Sequence, residues 1–293
     1  MTAFPTLGGL EAQTVLATAR AVGWEAADIL RSYYRGEGEG DLQVEDSQDG
    51  PVTAADLAVN HHILSRFEAA FGEAPFGYLS EETYKELKSK APMPQDWLWI
   101  IDPLDGTRDF IDQTDEYALQ IALAYQGRPV LSVVALPEAE RLYFALRGAG
   151  SFREDRQGTV TPMQASARDQ VADLTLVASR THRDARFRKL LDALSLRKQI
   201  YVGSVGFKIA TILEQQADVY ISLSGKSAPK DWDMAAPELI LTEAGGRFTT
   251  AAGSPLRYNT GDVNQWGCLI ASNGPCHDQL CAEAERLLAQ LDD

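Results

Sequence analysis

Five consecutive apolar residues, Trp97-Leu98-Trp99-Ile100-Ile101, stand between Asp96 and Asp102 and constrain this chain more than any other segment. A run of that length without polar alternation reads as a strand covered on both faces, so the fold needs material above and below a sheet. The run ends in Asp102-Pro103-Leu104-Asp105-Gly106-Thr107. Pro103 is expected to force an extended turn that exposes the end of the segment, delivering two carboxylates to the mouth of a buried strand. Asp102, Asp105 and the Leu104 carbonyl would converge there as hard oxygen ligands, a partly open set that suits Mg²⁺. An Asp-x-x-Asp-Gly turn is also a common structural device, so this segment alone leaves both readings open.

Three further segments carry acids at comparable places. Ser80-Glu81-Glu82-Thr83 follows another short strand-like run. Lys230-Asp231-Trp232-Asp233-Met234-Ala235-Ala236-Pro237 opens a helix that is apolar on one face over 234–244 and stops at Gly245-Gly246. Asp233 then falls at the positive end of that helix, where it serves equally well as an N-cap. Pro51-Val52-Thr53-Ala54-Ala55-Asp56 leads into a helix with helically spaced Leu57, Ile63, Leu64 and Phe67, and Thr53 with Asp56 has the spacing of a capping pair.

The layout around these segments is that of an α/β (α+β) protein. A helix is expected over 10–34, followed by the acidic glycine stretch 36–40, which is either a lid or a plain solvated loop. Strands over 118–125, 130–136 and 141–146, separated by turn signals, form an antiparallel meander. After the polar segment 157–168, strands over 174–178, 200–202, 219–223 and 269–271 alternate with helices over 184–194, 207–215, 234–244 and from 275. A boundary near residue 165 follows, with an α+β domain over 1–165 and an α/β domain over 166–293.

Composition narrows the function classes. With 293 residues and 45% hydrophobic content, the chain has the makings of a soluble globular protein. No apolar run approaches the ~20 residues a spanning helix needs, and the N-terminus lacks the order of a signal peptide, so a cytoplasmic protein with no membrane partner is expected. Cys268, Cys276 and Cys281 show no Cys-x-x-Cys pairing or matching His set, and read as free thiols. A formal net charge of −15 argues against a nucleic-acid polymer as partner, so any anionic substrate must be met locally, by metal ions or a confined basic cluster.

Taken together and in this order, the segments Pro51 to Asp56, Ser80-Glu81-Glu82, Trp99 to Phe110 and Trp232 to Pro237 resemble the inositol monophosphatase superfamily of lithium-sensitive, Mg²⁺-dependent phosphatases. The resemblance covers nearly the whole chain. It implies a layered αβαβα sugar-phosphatase fold with two or three Mg²⁺ in a cleft between its halves. It also implies Glu81, Asp102 and the Leu104 carbonyl as ligands of the water-activating ion, and Asp102, Asp105 and Asp233 as ligands of a second, with Asp102 bridging. A third, weaker ion would share Glu81. Thr107 with Asp56 would be the catalytic dyad that orients and deprotonates the attacking water, and the Gly106 and Thr107 amides would hold phosphate oxygens. Asp109 and Asp231 fall outside this ligand pattern and are expected to be supporting or solvated. Clustered carboxylates repel one another, so the site should be loose without cations.

Ser179-Arg180-Thr181-His182 and Gly203-Ser204-Val205-Gly206-Phe207-Lys208 are similar to the 3′(2′),5′-bisphosphate nucleotidase branch. That similarity implies a substrate-binding set of Arg180, His182, Gly203, Ser204 and Lys208, with the non-scissile phosphate on Ser204, Lys208 and a helix N-terminus. A glycine-rich helix start with a solvated Lys is the alternative. The activity implied is removal of the 3′-phosphate of adenosine 3′,5′-bisphosphate to give AMP, a reaction of sulfur metabolism. Hydrolysis of a sugar phosphate, as by an inositol monophosphatase or fructose-1,6-bisphosphatase, is the alternative within the class. A non-catalytic metal- or nucleotide-sensing module is a third reading, disfavoured because a sensor has no need of the Thr107 and Asp56 pair.

Overall fold

The computed structural model describes residues 10–38, 42, 44–47, 50–72, 74–86, 91–180 and 185–292, stacked in five layers. Helices α1 (Ala12–Tyr34) and α2 (Ala54–Phe71) form the first layer, joined through the small hairpin β1 (Glu45–Ser47) and β2 (Gly50–Val52). They cover a seven-stranded sheet of β3 (Phe76–Ser80), β4 (Trp97–Asp105), β5 (Ala118–Tyr125), β6 (Arg128–Leu136), β7 (Arg141–Leu146), β8 (Gly150–Asp155) and β9 (Val160–Met163), in that spatial order. Only the β3 and β4 pair is parallel within it. Two short helices, α3 (Glu81–Glu86) and α4 (Thr107–Ile111), leave the C-terminal ends of β3 and β4.

The rest of the chain builds a mixed five-stranded sheet in the order β11-β10-β12-β14-β13. Its strands are β10 (Thr175–Ala178), β11 (Lys198–Tyr201), β12 (Val219–Leu223), β13 (Arg247–Thr250) and β14 (Cys268–Ser272). Helices α6 (Val205–Leu213) and α7 (Asp231–Glu243) lie between the two sheets and share one core with both, from Leu98 and Tyr143 on one side to Tyr220 and Phe248 on the other. Helices α5 (Ala185–Ala193) and α8 (His277–Asp292) cover the outer face. The αβαβα order expected from the resemblance is the order found.

The strand β4 shows why the apolar run is decisive. Leu98 and Ile100 point into the core with α6 and α7, while Trp97, Trp99 and Ile101 point into the core with α1 and α2. Trp99 packs against Phe67 of α2 with ring centroids 4.3 Å apart. All nine residues of β4 are buried, and this corrects the expected exit after Ile101. The strand keeps its pairing with β5 at Asp102↔Gln120 and resumes it at Asp105↔Ala118 across a register shift, so Pro103 occupies an irregularity inside the sheet.

Other expectations need adjustment too. The meander runs two strands longer than the sequence suggested: part of the polar segment 157–168 is β9, an edge strand whose exposed residues and Pro162 hide its strand character. The four-residue edge strand β13 was not foreseen. Among the described residues no helix is long and apolar enough to cross a membrane. All three cysteines are free and buried. Of the 36–40 stretch, Glu39 and Gly40 lie outside the described residues, as does His182.

Candidate active site

The parallel register of β3 and β4, with Ser80 opposite Ile101, brings Glu81 and Asp102 out at the same end of the sheet. The first turn of α7 brings Asp233 to the same place. Asp102, Asp105 and Asp233 each offer one carboxylate oxygen, and these atoms lie within 4.8 Å of one another. Each carboxylate is held differently. Asp105 Oδ2 accepts from Gln120 Nε2 at 2.5 Å and from the Gly206 amide of α6 at 2.7 Å. Asp233 Oδ2 accepts from the Lys230 amide at 2.6 Å, so it caps the helix that carries it. Asp102 Oδ1 accepts from the Leu104 amide at 3.0 Å, but its Oδ2 is buried and accepts no hydrogen bond from any N–H or O–H of the described residues.

Such an arrangement is costly without a cation. Burial first, then Glu81, Asp105 and Asp233, raise the Asp102 carboxyl well above its ordinary range. Burial and the Asp105 charge push Asp233 up to about 7. Burial also raises Asp105, against the pull of the Gly206 amide and Lys208. An orphaned buried oxygen among three convergent carboxylates, with no sulfur or imidazole in the group, fits a hard divalent cation such as Mg²⁺. Glu81, the fourth expected ligand, stands outside this group: it is pushed up to about 8, mainly by burial, and its Oε1 meets Lys85 Nζ at 3.3 Å.

Beside the carboxylates lies the hydroxyl pair. Asp56 completes a capping box at the start of α2, its Oδ2 accepting from the Thr53 amide at 2.8 Å and the Thr53 hydroxyl at 2.6 Å. Its Oδ1 faces the Thr107 hydroxyl at 3.4 Å, and that hydroxyl also lies 3.2 Å from the Leu104 carbonyl oxygen. The capping and catalytic readings of Asp56 are therefore compatible, since each uses a different oxygen. Burial raises the Asp56 carboxyl to about 6. Gly106 enters α4 with φ +89°, and a β-carbon there would stand 3.0 Å from Ser204 Cβ. The chain needs glycine at this position both for the turn and for the close approach of α6.

The residues expected to select the substrate are placed differently from expectation. Lys208 does not present a free ammonium: it is 3% exposed, and its Nζ donates to the Gly203 carbonyl and, at 3.1 Å, to the Ser204 carbonyl. Burial lowers it to about 8. The Ser204 hydroxyl caps α6 by accepting from the Phe207 amide at 3.0 Å. The N-terminus of α6 is itself taken by the Asp105 carboxylate, through Gly206. Arg180 is paired with Glu116 at 2.5 Å and Asp109 at 3.0 Å, and Glu116 Oε2 also accepts from the Gly203 amide at 2.7 Å. These residues hold the 203–208 segment against α4 and the loop after it. Asp109 is thus a supporting residue, as is buried Asp231, which accepts from the Asn259 amide and Gln265 Nε2. Gln120, Glu116 and Lys85 were missed. Only Lys85 had a legible signal, its helical spacing from Glu81 and Glu82.

A cavity of about 420 Å³ opens at the other end of β4, lined by Gln95, Gln126, Arg257 and Asn259 among others. None of the clustered acids borders it.

Comparison with known proteins identifies the family of the chain. Residues 11–289 match the model of the inositol monophosphatase family. The chain is 31% identical over 235 residues to the 3′(2′),5′-bisphosphate nucleotidase CysQ of Escherichia coli, covering 80% of this chain and 89% of that protein. It is 34% identical over 228 residues to the 3′-phosphoadenosine 5′-phosphate phosphatase of Mycobacterium bovis, covering 74% and 77%. Among solved structures, an IMPase from Thermotoga maritima superposes with a TM-score of 0.76 at 21% identity, over 94% of this chain and 99% of that one, a likeness of fold.

Proposed function

Because this chain belongs to the inositol monophosphatase family, we propose that it is a Mg²⁺-dependent phosphatase that hydrolyses the 3′-phosphate of adenosine 3′,5′-bisphosphate to give AMP and phosphate. The observation that carries the hydrolytic part is the buried Asp102, Asp105 and Asp233 group with its unpartnered Asp102 Oδ2, set beside the Thr107 and Asp56 pair. The choice of a nucleotide bisphosphate is supported by the names of the relatives.

Asp102, Asp105 and Asp233 would hold one ion, with Glu81 and the Leu104 carbonyl completing a second position around Asp102. Bound Mg²⁺ supplies charge stabilisation for the phosphoryl group in flight and activates water for attack. The chain's own contribution is orientation and proton handling. Thr107 Oγ would accept a proton from the attacking water while passing its own to Asp56 Oδ1, which is free of the capping bonds that occupy Oδ2. The Gly106 and Thr107 amides would meet phosphate oxygens where the backbone turns into α4. The ligands come from both halves, four from residues 1–165 and Asp233 from 166–293, which supports a site in a cleft between them.

A panel assay tests the reading. Phosphate release would be measured from adenosine 3′,5′-bisphosphate, its 5′-phosphosulfate analogue, inositol 1-phosphate and fructose 1,6-bisphosphate, each with Mg²⁺ and with EDTA. The proposal expects the highest kcat/KM on the adenosine bisphosphate and none in EDTA. A preference for inositol 1-phosphate would overturn the substrate and leave the cation site standing; full activity in EDTA would overturn the cation site.

A further inference from the structure

The cavity of about 420 Å³ at the start of β4 lies at the opposite end of that strand from the carboxylates, roughly 20 Å from Asp102 at the rise of an extended chain. Its walls are fastened to one another. The Met93 amide donates to Asn259 Oδ1 at 2.7 Å, and Asn259 Nδ2 donates back to the Met93 carbonyl at 2.9 Å. The Gln126 amide donates to the Asp96 carbonyl at 2.8 Å. A β-carbon on Gly127 would stand 2.8 Å from the Tyr258 carbonyl oxygen, so the turn between β5 and β6 closes directly on the segment 256–260. The fold itself shapes this opening.

Several polar groups facing it lack partners. Gln95 Oε1 is buried and accepts no hydrogen bond from the described residues, and β3 makes room for it: a β-carbon on Gly77 would stand 2.8 Å from that oxygen. Asp96 and Arg257, both exposed, border the same cavity, and neither side chain has a charged partner among the described residues. Leu98, Ala124 and Tyr258 give the floor an apolar surface.

We propose that this cavity is a binding site for a free α-amino acid with an apolar side chain. Charge decides the class of ligand. A plain anion drawn to Arg257 also meets Asp96, and a plain cation drawn to Asp96 also meets Arg257; a molecule carrying both charges satisfies the two at once. An ammonium has three donors, enough for Asp96 and for the neighbouring Gln95 Oε1. A carboxylate matches the planar fork of the Arg257 guanidinium. The side chain of the ligand then lies on the apolar floor, and the volume, at the small end of the range for ligand pockets, fits a molecule of this size.

The site touches the elements that carry the chemistry without sharing their residues. Tyr258 Oη donates to Glu238 Oε2 at 2.7 Å and the Asn259 amide donates to Asp231 Oδ2 at 2.8 Å, so the cavity wall holds α7, whose third residue is Asp233. Leu98 belongs to the strand that ends in Asp102 and Asp105. A bound amino acid braces the two elements that supply all three aspartates, whichever phosphate ester the enzyme cleaves.

Calorimetric titration of leucine, methionine and phenylalanine into the full chain tests the site, each compared with its amide, which lacks the carboxylate, and its N-acetyl form, which lacks the ammonium. At least one free amino acid should bind with a millimolar or lower Kd. Its two capped forms should bind about tenfold more weakly or worse, since each loses a charge-assisted contact. Arg257→Ala and Asp96→Asn should each weaken the free amino acid by a similar factor, and because both side chains are exposed, folding should survive both changes. Asp102→Asn should leave binding unchanged. No binding by any of the three at millimolar concentration leaves a cavity that holds only water and overturns the site. Equal binding of free and capped forms, or wild-type affinity in Arg257→Ala, overturns the zwitterion. Loss of binding in Asp102→Asn places the ligand at the aspartate group and overturns the proposal as well.

Discussion

Replacing Asp102 by Asn should make the cation-free protein more stable and the enzyme nearly inactive. Asp102 is 1% exposed, its Oδ2 has no donor, and Glu81, Asp105 and Asp233 all disfavour its charge. A buried acceptor left without a partner costs ~1–3 kcal/mol, and an Asn amide at that position would donate toward Asp233 while its carbonyl keeps the Leu104 amide bond. Taking about 2 kcal/mol as the gain, and roughly 2–4 °C per kcal/mol for a chain of this size, the variant should melt about 4–8 °C above wild type in EDTA. Mg²⁺ should reverse the order: it stabilises wild type by binding the folded state, and the variant much less. Turnover should fall by ~10²–10³, the worth of one preorganised electrostatic contact. Differential scanning calorimetry with and without Mg²⁺, alongside phosphate release, reads all three quantities. A variant that melts below wild type in EDTA, or that gains as much from Mg²⁺ as wild type does, would refute the reasoning.

Thr107→Ala should lower kcat by ~10²–10⁴ with Mg²⁺ affinity unchanged by calorimetry, and the double variant with Asp56→Asn should be no worse than the poorer single; additive losses would separate the two residues. In EDTA, the melting temperature should fall as pH rises from 5 to 8. Asp56, Asp233 and Glu81 have folded values raised to about 6, 7 and 8, so the stability their protonated forms contribute is present at low pH and lost as each ionises. Mg²⁺ should flatten that profile except for the part owed to Asp231, raised by burial to about 7 and placed on other partners. A flat profile in EDTA counts against the cluster. Lys208→Met should raise KM equally for mono- and bisphosphate substrates, because its ammonium holds the Gly203 and Ser204 carbonyls; a loss confined to bisphosphates would return Lys208 to the substrate.

Legibility in the sequence followed the range of the interaction. The apolar run became a two-faced strand because burial on both sides demands it, and Thr53 with Asp56 became a capping box because three residues of spacing suffice to make one. The strands β8 and β9 were hidden because this end of the sheet is half-exposed and has little apolar pattern to show. At the site, the carboxylates were visible as motifs, but their partners were not. The start of α6 looked open to a phosphate because nothing local fills it; the group that fills it, Asp105, lies 101 residues earlier. Arg180 looked like a substrate ligand for the same reason, its acids being Glu116 and Asp109 from the other sheet's connections.

The unequal support of the three aspartates bears on how such a chain could decay or be repurposed. Asp105 ties β4 to α6 and to Gln120, and Asp233 caps its own helix, so a lineage that lost either would pay in foldedness as well as in chemistry. Asp102 has one local amide bond and an oxygen with nothing to do in the absence of a cation. Drift toward a non-catalytic descendant would therefore begin at Asp102, leaving the architecture intact and the other two aspartates as fossils of the lost activity.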